Sequence, residues 1–445
     1  MKPWTLLLLG GLALGSAAAA EQPMTRFFPY PTHVTTLDNG LKLIVVPMRS
    51  GELVAYWSIV RTGSRDEYEP GRSGFAHFFE HMMFRGTKTY PASVYNEWTT
   101  RMGANANAFT STDLTAYHLG IAAGDLETVM KLESDRFQHL DYPEQAFRTE
   151  AGAVYGEYRK NRTSPFFTAY EALQRTAFQA HTYGHTTIGY EQDIAHMPEL
   201  YDYSKAFFSR YYRPENVVLL IVGAVEPEPT LALVRQYYGG WQRGYVTPQI
   251  PVEPEQTAER HVEVSYDGRT LPIVWIAYKA RRFDPADTGY VALGLLGELA
   301  FGETSPIYKK LVLDEQVVET LSASQDLHRD PGLFEVIARV KEPAKLDYVR
   351  QEIDRVIAGF REQPPAAERL ADLKSRVKYG FLMGLDTPDN VADALARPIS
   401  ITGGLEGLEQ WYTTIETITP EQVRAAAREQ LVPQRRTVAV LQGRP

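Results

Sequence analysis

The chain has 445 residues, 44% of them hydrophobic and 23% charged, with a formal net charge of −9 and no cysteine. At about 100–200 residues per domain, this length holds roughly two to three domains with packed cores, which excludes global disorder. The acidic balance opposes phosphate backbones and so excludes nucleic acid as a partner, and the lack of cysteine excludes disulfides, thiolate metal sites and a cysteine-linked lipid anchor.

The chain opens MKPWTLLLLGGLALGSAAAAEQ. Lys2 supplies a positive start, Leu6 to Leu14 a short apolar run, and Ala18 and Ala20 a small-x-small site. This pattern predicts a signal peptide over residues 1–20 and export of the rest. The run falls short of the ~20 residues a spanning helix needs, and no later stretch is apolar enough to span, so no membrane span is expected after cleavage. The expected compartment is a bacterial periplasm.

Next comes an Asp-Asn-Gly turn signal followed by strand LKLIVV, then strand LVAYWSIVR. GFAHFFEHMMF has no proline and reads as a helix. LTAYHLGI alternates like a half-buried strand, GDLETVMKLESDRFQHL and EQAFRTEAGAVYGEYRKNR are helical, and NVVLLIVG is a strand. VTPQIPVEPEQ, with Pro248, Pro251 and Pro254, reads as a linker over 246–256. Beyond it the order restarts. HVEVSYDG, PIVWIAYK and LFEVIARV are strands; DTGYVALGLLGELAFG, AKLDYVRQEIDRVIAGF and AERLADLKSRVKYGFLMGL are helices. Strands and helices come in blocks, which predicts α+β with mostly antiparallel sheets packed by helices.

RYYRPENVVLLIVG and EQLVPQRRTVAVLQG echo each other, each with a proline (Pro214, Pro433) ahead of a buried-type strand. The period of about 220 residues predicts a duplicated domain. The expected division is a first domain over 21–245, a linker over 246–256 and a homologous second domain over 257–445. Pairing Phe84 with Phe301 puts no histidine on the second copy's helix, so the chemistry belongs to the first domain.

That chemistry centres on HFFEH. Residues four apart share a helix face, so His77 and His81 can reach one ion. Two imidazoles suit zinc, which takes a third protein ligand and a water in catalytic sites. Glu80 borders the same face without having to be a ligand. Glu150 and Glu157, seven apart on one helical face, each offer a third ligand, and their spacing does not choose between them. Phe78, Phe79, Met82, Met83 and Phe84 leave the imidazoles little polar surface, and a buried polar group needs a partner.

HFFEHMMFRGTKTYP resembles the signature of the inverted zinc peptidases, the family of pitrilysin, insulin-degrading enzyme and mitochondrial processing peptidase. The resemblance continues in GANANAFTSTDLTAYHL, RTEAGAVYGEYRKN, HTYGHTTIGYEQDI and FFSRYYRPENVVLLIVGAV. It implies two homologous α+β domains forming a clam-shell half and a zinc metalloendopeptidase with one Zn²⁺ per chain. His77, His81 and Glu157 match the metal ligands, Glu80 the general base, and Glu150 an orienting glutamate. Asn107, Ala108 and Phe109, in NANAFT, match a substrate-edge strand to which an extended peptide adds. HTYGH also spaces His181 and His185 four apart, but Gly184 opposes a helix and a metal there is not expected. His118, on a tyrosine- and leucine-rich strand, reads as a packed histidine.

The second half departs from the family. Its members carry an arginine and a tyrosine there that help bind substrate. In ETSPIYKKLVLDEQVVETLSAS, Pro306 stands near the arginine position and Glu319 or Thr320 near the tyrosine; Tyr308 is close in sequence only. The resemblance therefore implies a zinc-bearing subunit working with a homologous second chain that supplies the arginine–tyrosine pair, or else with a second copy of itself. The alternative is a non-catalytic scaffold that retained the fold; the full set of His77, Glu80, His81 and Glu157 argues against it.

Overall fold

The computed structural model describes residues 27–444, so the expected signal peptide lies outside the described residues. Among the described residues, eleven strands form two sheets. The first comprises β1 (His33–Thr36), β2 (Lys42–Pro47), β3 (Leu53–Val60), β4 (Asn105–Thr110), β5 (Thr115–Ala122) and β6 (Val217–Gly223), in the order β1-β2-β6-β3-β5-β4. The second comprises β7 (Arg260–Asp267), β8 (Ile273–Lys279), β9 (Val318–Gln325), β10 (Leu333–Val340) and β11 (Arg436–Arg444), in the order β7-β11-β8-β10-β9. Without β1 the two orders are the same, which is the duplication read from the sequence.

Each sheet departs from antiparallel pairing once. The last strand of each half returns beside the first and runs parallel to it, with Lys42 opposite Val218 and Arg260 opposite Thr437. The outermost strands β4 and β9 are structural counterparts, each leaving one edge unpaired.

Eight helices bear on the site and its support: α1 (Phe75–Met82), α2 (Leu126–His139), α3 (Glu144–Asn161), α4 (Pro165–Ala177), α5 (Thr288–Phe301), α6 (Ala367–Met383), α7 (Pro388–Thr402) and α8 (Glu406–Thr417). One face of the first sheet carries Leu43, Val45, Tyr56, Leu219 and Ile221 and packs on Phe75, Phe78 and Phe79 of α1 and Phe147 and Val154 of α3. The other face carries Ile44, Trp57, Ile59 and Leu220 and packs on Val391, Leu395 and Ile399 of α7, from the second half. β6 is therefore buried at every residue, as its unbroken apolar run requires. The exchange is mutual: Ala169, Leu173 and Ala177 of α4 cover Trp275, Ala277 and Leu441 of the second sheet.

The expected linker has no helix or strand, yet it is pinned. Glu253 accepts from the backbone N–H groups of Gln179 (2.9 Å), Ala180 (2.9 Å) and His181 (3.1 Å) and pairs with Lys279 at 3.2 Å. A polar cluster also crosses between the halves. Asp113 meets His328 at 3.0 Å, Arg65 meets Asp330 at 2.6 Å, and one Arg329 amino group donates to the carbonyls of Arg61 (2.8 Å), Asp113 (3.0 Å) and Ser400 (2.8 Å). Among the described residues no helix is long and apolar enough to cross a membrane.

Candidate metal centre

The centre is built on α1, only two turns long and held at its start by a buried carboxylate. Glu67 accepts from Gly74 N–H at 2.7 Å and Ala76 N–H at 2.6 Å, satisfying two donors that a helix start leaves free. Burial pushes the Glu67 carboxyl well above its ordinary pKa, with these bonds opposing. Gly74 sits at φ 95°, and a Cβ there would lie 2.6 Å from the Ile188 carbonyl oxygen, so no other residue fits without movement. Phe75, Phe78, Phe79 and Met82 lock one face of α1 into the core, leaving His77, Glu80 and His81 on the other.

α3 crosses beside α1. Phe147, Ala151, Val154 and Tyr158 are its buried stripe, and Phe147 meets Phe78 edge-on at 5.1 Å. The neighbouring stripe carries both candidate glutamates. Glu157 Oε2 lies 3.6 Å from His77 Nε2 and 3.5 Å from His81 Nε2, and ligand atoms of the three residues all lie within 4.8 Å of one another. Glu150 sits elsewhere. It meets His81 Nδ1 at 2.9 Å through Oε1 and accepts from Arg85 Nε at 2.7 Å through Oε2.

The spacing tests the fit to an ion. Separations of 3.5 and 3.6 Å are too long for the 2.7–3.2 Å of nitrogen–oxygen hydrogen bonds. They match the edge of a tetrahedron about a cation with bonds of about 2.0–2.1 Å, roughly 3.4 Å. Two imidazoles and one carboxylate form a donor set that zinc takes, and Glu150 gives His81 the outer partner that a ligating imidazole uses. The residues fit the ion. His77 Nδ1, by contrast, is buried without a hydrogen-bond partner among the described residues.

The electrostatics of the two imidazoles differ. Burial lowers the His77 pKa, while the carboxylates of Glu150, which accepts from its ring, and then Glu157, which faces it, push His81 up to about 9. The His81 contact holds Glu157 below the ordinary carboxylate range. Burial pushes Glu150 up, but His81 and Arg85 prevail and hold it low.

Glu80 does not join the three donors. Its Oε2 accepts from Thr110 Oγ1 at 2.7 Å, at the end of the edge strand β4. The sequence reading gave Thr110 no role. A cavity of about 400 Å³ opens beside these groups, lined in part by Glu80, His81, Asn107, Ala108 and Glu150. Phe109 is not brought there. It turns to the opposite face of β4, packing edge-on against Trp57 at 6.1 Å, as strand alternation dictates.

The remaining sequence candidates lie apart. His181 contacts Asp330 at 3.0 Å and His185 Nδ1 lies 2.9 Å from the Thr186 carbonyl, while His118 stacks on Trp57 at 4.5 Å. Glu319 pairs with Arg339 at 2.8 Å. Tyr308, Thr320 and Arg376 line a separate cavity of about 500 Å³ beside β9.

Residues 44–191 match the insulinase family (peptidase family M16), and residues 200–377 match the peptidase M16 inactive domain. The chain is 29% identical over 390 residues to the zinc protease PqqE of Helicobacter pylori, covering 86% of each chain. It is 26% identical over 437 residues to the beta subunit of the mitochondrial-processing peptidase of Bos taurus, covering 94% of this chain and 85% of that one. Among solved structures, a protease from Helicobacter pylori superposes with a TM-score of 0.88 at 26% identity, over 93% of this chain and all (100%) of the other.

Proposed function

This chain belongs to the insulinase family, peptidase family M16, and from that premise we propose that it is a zinc metallopeptidase hydrolysing peptides or unfolded polypeptide segments. The observation that carries this reading is the convergence of His77, His81 and Glu157 at separations suited to a cation and unsuited to hydrogen bonds.

A zinc ion held by these three residues, one per chain, supplies a lowered pKa for water and a positive charge beside the scissile carbonyl. The protein's own residues do the rest. Glu80, steadied by Thr110, accepts the proton of the attacking water and delivers it to the leaving amine. Glu150, fixed by Arg85, holds the His81 ring in one tautomer and orientation. The free edge of β4 pairs with an extended substrate backbone near Asn107 and Ala108, which tolerates many sequences.

The same reading makes the chain the zinc-bearing half of a two-chain enzyme. None of Pro306, Glu319, Thr320 or Tyr308 lines the cavity beside the metal ligands, which supports an arginine–tyrosine pair arriving from a second, homologous chain. The beta-subunit relative, by its name, is one part of a larger enzyme. The leader-like residues 1–20 support a periplasmic setting, and the two sheets with the strap between them support a division at 21–245, 246–256 and 257–445.

The test is zinc content and cleavage of an internally quenched, unstructured peptide by the purified chain and by Glu157→Gln. The expected result is one zinc in the wild type and loss of zinc and of any cleavage in the variant. A wild type that takes up no zinc, or a variant that keeps it, overturns the assignment. Full turnover by the chain alone overturns the missing-partner reading and leaves the metal site standing.

A further inference from the structure

The second half contains a cavity of about 340 Å³ between α5, the end of β9, α6 and α8. We propose that it is a binding site for a small ligand with an apolar body and a carboxamide group. The proposal is independent of the peptidase reading.

The first observation is a glycine without a packing reason. Gly294 and Gly297 both line the cavity from the interior of α5. A Cβ at Gly297 would approach Phe334 Cε2 to 3.0 Å, so close helix–sheet packing accounts for that residue. A Cβ at Gly294 would meet only Gln325 Oε1, at an ordinary 3.5 Å. A glycine in a helix interior weakens the helix relative to alanine. At Gly294 that loss gains nothing in packing, and the bare backbone there forms one wall of the cavity.

The second observation is polar. Both amide atoms of Gln325 and the indole Nε1 of Trp411 are buried without a hydrogen-bond partner among the described residues, and both residues line this cavity. Buried polar groups are normally satisfied, and a site where several converge in an apolar cavity of this size is shaped for a ligand. The remaining walls include Leu295, Phe334, Val377 and Ile415.

The donor and acceptor inventory selects the ligand class. Trp411 can only donate, whereas the Gln325 amide donates through Nε2 and accepts through Oε1. A carboxamide matches this set, because its carbonyl accepts and its N–H donates. A carboxylate lacks the donor and would meet the Glu298 side of the cavity, while an ammonium lacks the acceptor.

The probes are 3-phenylpropanamide and methyl 3-phenylpropanoate, titrated against the full chain by saturation-transfer NMR. The ester keeps the body and the acceptor and loses the donor. The amide is expected to bind the wild type saturably and several-fold to about tenfold more tightly than the ester. Gln325→Leu is expected to bring the amide down to the ester's affinity. Gly294→Leu, at an exposed helical position, is expected to abolish binding of both without lowering the unfolding temperature. Absence of saturable amide binding to the wild type means that the cavity holds water only and overturns the proposal. Unchanged amide affinity in either variant overturns it as well, by placing binding elsewhere.

Discussion

Replacing Glu150 separates a metal ligand from an orienting group more sharply than any other change at the centre. Glu150 lies 2.9 Å from His81 Nδ1 and 2.7 Å from Arg85 Nε, and only 5% of its side chain is exposed. In Glu150→Gln the amide oxygen can still accept from His81, so the ring keeps its orientation while Arg85 loses its charged partner. Loss of such an outer partner weakens metal binding by about 10–100-fold. Glu150→Gln belongs at the lower end, about tenfold or 1.4 kcal/mol. Glu150→Ala removes the acceptor as well and strands Arg85, which places it near a hundredfold, about 2.7 kcal/mol. Glu157→Gln loses a carboxylate facing both His77 and His81 and must exceed both effects. Competition for zinc against a chelating fluorophore at fixed pH and salt measures all three, with circular dichroism as the control for folding. If a Glu150 variant weakens zinc as much as Glu157→Gln does, or leaves affinity unchanged, the division of roles between the two glutamates is wrong.

Glu80→Gln is expected to keep its zinc, because Glu80 contacts Thr110 rather than the donor set, and to lose about 10²–10⁴ of turnover, read by metal analysis beside peptide cleavage. Arg329→Ala leaves three carbonyls without the amino group they share; a loss of about 1–3 kcal/mol is expected, seen as a lower denaturation midpoint. Asp113 raises the His328 pKa against burial, so this pair stabilises fully below the unfolded value of about 6.5 and weakens as pH rises through the higher folded value. The wild-type unfolding temperature should therefore fall on the alkaline side of neutrality, and His328→Gln should flatten that fall; equal slopes in the two proteins would contradict the pairing.

What the sequence made legible at the centre was whatever one element determines by itself. The i, i+4 histidines and their apolar flanks settle the face of α1 without help from the rest of the chain. The choice between Glu150 and Glu157 needed the crossing of two helices. One heptad is about 10 Å along an axis, so α3 offers the two carboxylates to different atoms of the histidine pair, and only the packing of Phe147 on Phe78 sets which meets which. Thr110 was invisible for the same reason, since its hydroxyl serves Glu80 only once β4 lies beside α1. The motif marks a stretch of strand without distinguishing its faces, and alternation turns Phe109 to the face that carries Trp57. α7 was missed on local grounds: Pro398 sits inside it, and a proline within a helical pattern argues for a break.

That missed helix ties the half without a histidine pair to the half that carries one. α7 covers the face of the first sheet opposite α1, burying Val391, Leu395 and Ile399 against Trp57, Ile59 and Leu220. Without it β3 and β6 would expose an apolar sheet face, and β6 carries no polar residue that could tolerate water. In return α4, which follows directly on the helix carrying Glu157, covers the second sheet through Ala169 and Leu173. The two halves thus complete each other's cores rather than merely touching through a linker. The position of Glu157 depends on α3, whose continuation into α4 is anchored on the second half. A change in that half, far from the donors, can therefore move Glu157. The second half brings no histidine pair to the centre, yet the core of the first sheet is closed only with α7 in place.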